Sequence, residues 1–256
     1  MLFRNNLFGS YIIKKYFYTD KYDKLIQRFN GNKGKYFYFV ERKYFFENFS
    51  FKNKVILDLG TGTANLVKYI KPNFKYFIGI DREKSLLSEA KNKFIKDKAN
   101  IYLLCSDAEN IPIKNNSVDV ILALGLFERT SSLNKIFIEC NKILKKDGVF
   151  KFTIWNSKRS VILKLFDRKL SGSYEFSLDQ IKLELKKSGF KIYFIQSVFY
   201  LPRKIFWIIY KILYFEFLRS FYLYLCAKIE NYLSLYFNER LKGSELIIFA
   251  KKNNLL

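Results

Sequence analysis

Residues 55–67 read VILDLGTGTANLV, and this stretch decides the fold. An apolar run carries Asp58 near its end, and Gly60-Thr61-Gly62-Thr63-Ala64 follows before the chain becomes amphipathic. Glycines at such a junction permit a tight turn and let the backbone approach a ligand closely. The pattern predicts a buried strand, then a ligand-binding loop, then a helix over residues 64–70.

Short β-branched or aromatic runs alternate with amphipathic runs along the rest of the chain. Predicted strands cover residues 55–60, 76–81, 101–106, 118–125, 148–155, 191–199 and 245–252. Predicted helices cover residues 64–70, 84–96, 133–144 and 178–188. This alternation is typical of βαβ units, in which helices cover both faces of a parallel sheet. A ligand is then expected at the carboxyl ends of the strands.

The composition excludes several kinds of catalytic site. The chain has 256 residues and no histidine, which rules out Ser-His-Asp triads, Cys-His pairs and histidine metal ligands. Cys105, Cys140 and Cys226 are far apart and form no C-x-x-C pattern. We therefore predict no metal site and no disulfide framework.

The chain is strongly basic, with a formal net charge of +23 and a pI of about 9.7. Such a charge favours an anionic partner, either nucleic acid or a membrane surface. Lysine and asparagine are spread along the whole chain, however, so a biased codon usage explains the charge equally well.

Residues 1–54 are basic and aromatic, and weak helical periodicity predicts a helical cap region there. The N-terminus has no uninterrupted apolar run, so we predict no secretory signal. Its acid-poor composition is also compatible with an organelle transit peptide. We predict a cytoplasmic location, with peripheral contact to a membrane as a further option.

Acidic residues lie at the ends of three successive predicted strands. Asp58 is near the end of the first, Asp81 ends the second, 19 residues after Gly62, and Asp107 follows the third. A carboxylate at the position of Asp81 can accept hydrogen bonds from two ribose hydroxyls. Asn65 stands where a dinucleotide fingerprint needs its third glycine, and Asp58 would repel a pyrophosphate. A nucleoside with a cationic, amine-bearing appendage suits these charges better.

These segments resemble the class I S-adenosylmethionine-dependent methyltransferases, most closely the small-molecule, quinone- or lipid-type members (methyltransferase type 11-like). VILDLGTGTA resembles their first motif, with Ala64 in place of the usual third glycine, and GIDREKSLL resembles their second. CSDAENIPIKNNSVDVILALGLFE resembles their third and fourth strands, and LKKDGVFKFTIW resembles their fifth. The resemblance implies an α/β, doubly wound, Rossmann-like sheet of seven strands, six parallel and one antiparallel.

The resemblance also implies a set of residues that bind S-adenosylmethionine. They are Asp58, Gly60, Thr61, Gly62, Asp81, Arg82, Asp107, Ala108, Leu124 and Gly125. The glycines of the loop would line the methionine end of the cofactor, where Asp58 would orient the amino group. Asp81 would hold the ribose, while Arg82, Asp107 and Ala108 would surround the adenine. Leu124 and Gly125 would line the sulfonium side.

The family reaction is an in-line displacement of methyl from sulfonium, in which alignment of the reactants supplies most of the catalysis. Glu128 is the candidate general base, although many small-molecule members carry Glu-His where this chain has Glu128-Arg129. Local capping or ion pairing by Glu128 is the alternative. Trp155 and Asn156 are expected to face the acceptor pocket. The nucleic-acid motif N/D-P-P-Y/F is absent after the fourth strand, which disfavours methylation of a nucleic-acid base.

An apolar stretch at residues 201–243 precedes the last predicted strand, and its internal charges make it unsuited to span a bilayer. Lys204, Lys211, Arg219 and Glu230 would form one charged stripe on a continuous helix. The stretch is therefore predicted to be an amphipathic helix, or a pair of them. Such an insertion can pack as a lid, lie in a membrane interface or form a dimer contact.

The predicted organisation is a helical cap region at residues 1–54, a methyltransferase core at 55–200, the insertion at 201–243 and the final core strand at 244–256. The leading hypothesis is a methyltransferase that uses S-adenosylmethionine on an apolar small-molecule or lipid-linked acceptor, at a membrane surface. An RNA methyltransferase, favoured by charge alone, and a non-catalytic cofactor-binding subunit are the alternatives. The oligomeric state is not indicated by the sequence.

Overall fold

A computed structural model of the chain describes residues 40–46, 49–70, 74–94, 100–166 and 173–253. The chain divides into two compact units. The sheet unit is built from described residues within 48–158, 169–196 and 245–256, and the helical unit from those within 1–47, 159–168 and 197–244. The predicted cap helices before residue 40 lie outside the described residues, whereas residues 40–46 are helical.

The sheet unit contains seven strands. They are β1 (Val55–Leu59), β2 (Tyr76–Asp81), β3 (Ile101–Cys105), β4 (Val118–Ala123), β5 (Leu144–Trp155), β6 (Phe190–Val198) and β7 (Glu245–Lys252). Their order across the sheet is β3-β2-β1-β4-β5-β7-β6. β1 is parallel to β2 and β4, β2 to β3, and β4 to β5, whereas β7 is antiparallel to β5. The predicted doubly wound, seven-stranded sheet is confirmed, and its strand order reverses between β1 and β4.

Seven α-helices with defined ends accompany the strands in the described ranges. They are α1 (Val67–Ile70), α2 (Lys84–Phe94), α3 (Leu133–Ile143), α4 (Val161–Phe166), α5 (Leu178–Lys187), α6 (Arg203–Ile212) and α7 (Glu216–Tyr236). Single 3-10 turns occur at Phe127–Arg129 and Asn238–Arg240. Helices α2, α3 and α5 lie where the amphipathic pattern predicted them.

The helix predicted from residue 64 begins only at Val67, so that start is wrong. Ala64 has a φ of +54°, a left-handed conformation that a right-handed helix cannot contain. Turns occupy residues 62–66 before α1 starts. The loop after β1 is therefore longer than the sequence indicated.

A cluster of four phenylalanines joins β5, α3 and the 3-10 turn after β4. Its members are Phe127, Phe137, Phe150 and Phe152, each fully buried. The six ring pairs have centroid distances of 4.7 to 6.4 Å, and most are edge-on. Packing of Phe127 in this cluster fixes the chain just beyond the end of β4.

In the helical unit the insertion forms a pair of helices, α6 and α7, which is one of the two arrangements predicted from the sequence. Glu230 of α7 is only 1% exposed. Its carboxylate accepts hydrogen bonds from the N–H of Tyr200 at 2.9 and 3.1 Å and of Leu201 at 3.3 Å. No helix of the described chain is both long enough and apolar enough to cross a bilayer.

The single charged stripe was predicted for one continuous helix, and the pair of helices does not form it. Lys204 and Lys211 are exposed on α6, whereas Glu230 points inward to the chain segment that precedes α6. Arg219 donates from Nε to the carbonyl of Leu213 at 2.7 Å, between the two helices. The break between α6 and α7 separates charges that a continuous helix would have aligned.

The two ends of the insertion are joined by hydrogen bonds. The N–H of Gly243 donates to Ser197 Oγ at 2.9 Å, and the N–H of Ser244 donates to the carbonyl of Phe199 at 3.0 Å. A Cβ at Gly243 would lie 2.2 Å from the carbonyl oxygen of Val198, so only glycine fits there. The chain thus enters and leaves the insertion at one place.

Candidate functional site

Four adjacent strands end at the same edge of the sheet. The register places Asp58 of β1 beside Gly79 of β2 and Leu122 of β4. Asp81, the last residue of β2, lies beside Cys105 of β3. The segments that follow these strands therefore share one edge, at the point where the strand order reverses. Ligands bind at this position in open α/β sheets.

Residues 60–64, the glycine loop, are fastened to the end of β2. The N–H groups of Gly60 and Thr61 donate to the carbonyl of Ile80 at 2.8 and 2.9 Å. The N–H of Gly62 donates to Asp81 Oδ2 at 2.8 Å. These bonds hold the loop on β2 over the strand tips.

Left-handed residues alternate along the glycine loop. Gly60, Gly62 and Ala64 have φ values of +75°, +54° and +54°, while the threonines between them have negative φ. This alternation gives the loop a series of tight turns. The N–H groups of Gly60, Thr61, Gly62 and Ala64 all donate hydrogen bonds within the protein, so the loop is held in one conformation.

Asp58 supports the glycine loop from below. Asp58 is only 2% exposed, and its Oδ2 accepts a hydrogen bond from the hydroxyl of Thr61 at 2.6 Å. The structure therefore brings Asp58 and Thr61, both predicted site residues, into direct contact. Orientation of a cofactor amino group by Asp58 stays a prediction.

Asp81 is half-buried, and both of its carboxylate oxygens accept backbone hydrogen bonds. Oδ2 accepts from Gly62 N–H, and Oδ1 accepts from Glu83 N–H at 2.9 Å. An ionised carboxylate has about four acceptor positions. Two of them thus support the protein backbone, and the predicted contact with ribose hydroxyls would use the others.

The residues predicted to surround the adenine are less closely joined to the loop. Asp107 is exposed, and its Oδ1 accepts the N–H of Glu109 at 2.9 Å in a local turn. Arg82 is exposed and Ala108 is half-buried. Within the described ranges no hydrogen bond connects these three residues to the glycine loop. Their adenine contacts stay predictions.

Gly125 is placed at the end of β4 with one side open. Its φ is +71°, and its N–H donates to Thr153 Oγ1 at 3.0 Å. A Cβ at Gly125 would meet no heavy atom of the described residues within 4 Å, whereas a Cβ at Gly60 would lie 3.1 Å from Leu126 Cδ1. The chain after β4 therefore approaches the glycine loop closely at Leu126. It leaves free space beside Gly125, and Leu124 is half-buried next to it.

Thr153 is a site residue that the sequence analysis missed. It is fully buried on β5 and holds the backbone of Gly125. Phe150 and Phe152, on the other face of β5, pack in the phenylalanine cluster. Because side chains alternate along a strand, this period of two was the signal that could have located Thr153.

Thr63 provides a test of whether a polar ligand fits the loop. The residue is 3% exposed, and Oγ1 has no hydrogen-bond partner among the residues that the structure describes. Buried hydroxyls in proteins are nearly always hydrogen-bonded, so this one is suited to a ligand group. The hydroxyl of Thr63 and the remaining acceptor positions of Asp81 fit the carboxylate and the ribose of S-adenosylmethionine.

Glu128 lies in the 3-10 turn after β4. It is half-buried, and its carbonyl oxygen accepts the N–H of Tyr174 at 2.9 Å. The neighbouring Phe127 is fixed in the phenylalanine cluster, so the backbone at Glu128 is well anchored. Its function as a base stays a prediction. In the described chain no group of three Cys, Asp or Glu residues could hold a metal ion.

Trp155 and Asn156, predicted to face the acceptor, are both buried at 4% and 1% exposure. The carbonyl of Trp155 accepts the N–H of Phe176 at 3.0 Å, and Asn156 Oδ1 accepts the N–H of Lys158 at 3.0 Å. The segment at residues 174–176 therefore runs alongside the end of β5. Contact of these two residues with an acceptor stays a prediction.

Residues 57–152 match the protein family described as Methyltransferase domain. An uncharacterized protein of Methanocaldococcus jannaschii is 30% identical over 136 residues, which are 53% of this chain and 50% of that protein. The ubiquinone biosynthesis O-methyltransferase of Coxiella burnetii is 26% identical over 117 residues, 46% of this chain and 50% of that protein. The chain thus spans about half the length of the curated relatives it matches.

A SAM-dependent methyltransferase from Thermotoga maritima has the same fold, with a TM-score of 0.60 at 15% identity. The alignment covers 96% of this chain and all of that one. The strand order, the glycine loop and the family match together define a class I S-adenosylmethionine-dependent methyltransferase domain. The chain contains this domain, and S-adenosylmethionine is the cofactor that belongs to it.

Proposed function

We propose that this chain transfers a methyl group from S-adenosylmethionine to an apolar small-molecule or lipid-linked acceptor at a membrane surface. The observation that carries the proposal is the glycine loop, which Asp81 and the end of β2 hold in place at the carboxyl ends of the strands. A preformed loop of this kind lowers the ordering cost of binding. We also propose a cytoplasmic location, peripheral to a membrane.

Different residues of the site would bind different parts of S-adenosylmethionine. The hydroxyl of Thr63 would hold the carboxylate, and Asp81 would hold the ribose. Bound S-adenosylmethionine supplies a methyl group on a positively charged sulfur. Open space beside Gly125 leaves room for an acceptor, and the bond to Thr153 keeps that backbone in place. Alignment of the two reactants then provides most of the rate enhancement.

A hydroxyl acceptor would have to lose its proton during the transfer. Glu128 is the carboxylate that we propose for this step, since a general base acts when it is within hydrogen-bond reach of the proton. The anchored backbone at Phe127 would keep Glu128 in position. An acceptor that is already ionised would not need this base.

Two observations support an apolar acceptor. One relative, at 26% identity over about half its length, is a ubiquinone biosynthesis O-methyltransferase. In addition, the helical unit exposes many large apolar side chains. The net charge of +23 supports the competing candidate, an RNA methyltransferase.

The test supplies the purified chain with S-adenosylmethionine labelled in its methyl group, together with a total lipid extract or total RNA. Mass spectrometry should find the label in the lipid fraction. Asp81→Ala should abolish the labelling, whereas Asp147→Ala, an exposed acid on β5, should not. Label in RNA alone would refute the apolar acceptor. Binding of S-adenosylhomocysteine with no labelled product in either fraction would favour a non-catalytic subunit.

A further inference from the structure

Helix α6 is apolar on its exposed side as well as on its buried side. Its exposed isoleucines are 38% to 74% accessible. They are Ile205, Ile208, Ile209 and Ile212. This spacing of three and four residues places them on one side of the helix, while Phe206 and Tyr210 form the buried side. A helix at a water-facing surface normally carries polar residues on its outer side.

Helix α7 also carries large apolar residues on its exposed side. Its exposed apolar residues recur every three or four positions and are 38% to 70% accessible. They are Phe217, Phe221, Leu225, Ile229, Tyr232 and Leu235. Its buried side contains Leu223 and Cys226 together with the polar residues Glu230 and Ser234. We call these exposed residues of α6 and α7 the apolar face. Helix α4 of the same unit also has exposed apolar residues, which are Val161, Ile162 and Leu165 at 60% to 72% exposure.

Hydrogen bonds fix α7 in this orientation. The carboxylate of Glu230 accepts the N–H groups of Tyr200 and Leu201, just before α6. The hydroxyl of Tyr222 donates to the carbonyl of Phe206 at 3.3 Å, and the two rings lie 5.3 Å apart. Turning α7 to hide its apolar residues would break these bonds and expose buried ring surface. The packing of the helical unit therefore keeps the apolar side of α7 facing outward.

The charges beside the apolar face are almost all positive. Among the side chains that the structure describes on α4, α6, α7 and the segment just after them, the exposed basic residues are Lys164, Lys204, Lys211, Lys228, Arg240 and Lys242. Glu216 is the exposed acid of the same set. An apolar strip with lysines beside it matches the headgroup region of a bilayer that contains anionic lipid.

Two other occupants suit this surface less well. A symmetric dimer would press the same basic surface against itself and bring like charges together. Single-stranded RNA binds by stacking bases on aromatic rings. The apolar face has Phe217, Phe221 and Tyr232, but its other seven residues are aliphatic and give bases nothing to stack on. Aliphatic side chains gain from burial in acyl chains, as aromatic ones do.

We propose that α4, α6 and α7 form a docking surface for an anionic lipid bilayer, with the apolar face inserted at the level of the headgroups. The proposal rests on the proposed function, because it names the membrane from which the apolar acceptor would be taken. It assigns the exposed isoleucines and aromatics to the acyl boundary and the lysines to anionic headgroups.

The test is sedimentation of the full chain with vesicles of phosphatidylcholine alone or with about one third phosphatidylglycerol. The chain should pellet with the anionic vesicles, and about 0.5 M salt should weaken but not abolish this binding. Leu235→Asp and Tyr232→Asp should each lower the partition constant about tenfold. Leu183→Asp on α5 and Tyr102→Asp on β3 are matched controls, with 54% and 52% exposure against 65% and 55%, and should bind like the wild type.

Equal vesicle binding by Leu235→Asp and the wild type would overturn the proposal. So would a wild-type chain that stays in the supernatant, or a Leu235→Asp variant that only dissociates a dimer in sedimentation analysis. Calorimetry with S-adenosylhomocysteine separates this inference from the proposed function. Cofactor binding without vesicle binding refutes the docking surface alone, and vesicle binding without cofactor binding refutes the methyltransferase activity alone.

Discussion

Asp81 accepts a hydrogen bond at 2.8 Å from the backbone N–H of Gly62, a residue 19 positions earlier in the chain. This bond links the end of β2 to the glycine loop that follows β1. A residue predicted to bind the ribose thus also shapes the loop predicted to bind the methionine end. The two halves of the cofactor site are therefore coupled through one carboxylate.

Replacement of Asp81 should consequently weaken cofactor binding at both ends. We expect Asp81→Ala to raise the Kd for S-adenosylhomocysteine about 10- to 100-fold, as expected when a hydrogen bond to a charged group is lost. Isothermal calorimetry measures this change, with the exposed Asp147→Ala as the control. An unchanged Kd in Asp81→Ala would refute the ribose assignment.

Removal of the buried Thr63 hydroxyl should weaken cofactor binding without lowering the stability of the fold. Because Oγ1 has no partner in the structure, Thr63→Val should leave the free energy of unfolding unchanged or raise it by about 1 kcal/mol. It should nevertheless raise the Kd for S-adenosylhomocysteine about tenfold. Urea unfolding and calorimetry test the two effects, and Thr63→Ser should restore binding. Wild-type affinity in Thr63→Val would show that the hydroxyl does not contact the cofactor.

Gly125 should be intolerant of a side chain for a functional reason. Its φ of +71° means that Gly125→Ala costs about 1–2 kcal/mol of backbone strain, although nothing within 4 Å would clash with the new methyl group. That methyl group would occupy the open space beside the strand tips, so cofactor or acceptor binding should weaken. Gly189→Ala, at a φ of +75° after α5, is the control for a left-handed glycine away from the strand tips. Equal cofactor affinity and equal turnover in both variants would remove Gly125 from the site.

Lys151 makes the stability of the sheet unit depend on pH. The residue is fully buried on β5, with Nζ 4.0 Å from the ring centre of Phe249, and burial lowers its pKa from 10.5 to about 7. Between these two values the unfolded chain binds a proton that the folded chain lacks. The free energy of unfolding should therefore rise with pH in this window, by up to about 1.4 kcal/mol per unit.

Lys151→Met should remove this rise, since methionine fills a similar volume without a charge. Urea unfolding at pH about 7.5 and about 9.5 measures the slope. Lys146→Met, at an exposed position of the same strand, should keep the wild-type slope. A wild-type slope in Lys151→Met would show that another group causes the pH dependence.

The sheet, and the edge of it that carries the site, could be predicted from the sequence. Strands covered on both faces need nearly continuous apolar runs, and those runs also mark where the polar strand ends lie. Asp58 and Asp81 could be placed at one edge because parallel strands share their direction. The contact of Asp81 with Gly62 depends on the pairing of β1 with β2, and no local pattern reports it.

Two features escaped prediction because distant residues decide them. Ala64 adopts a left-handed conformation within a loop that is held by Ile80 and Asp81, whereas its own propensity favours a helix. Glu230 looks like a solvent-facing charge on a helical stripe. Its burial follows from the N–H groups of Tyr200 and Leu201, which lie about 30 positions away. Propensity and periodicity carry no information about either partner.

Hydrogen bonds from Gly243 to Ser197 and from Ser244 to Phe199 join the two ends of the insertion, and this has an evolutionary consequence. A segment whose entry and exit are tied together can be lengthened, shortened or exchanged without altering the order of the strands around it. Residues 200–242 could therefore diverge among descendants of one ancestral domain while the strand order stays the same. Residues 40–46 would have to change with them, because Lys43 and Tyr44 donate hydrogen bonds to Asn231.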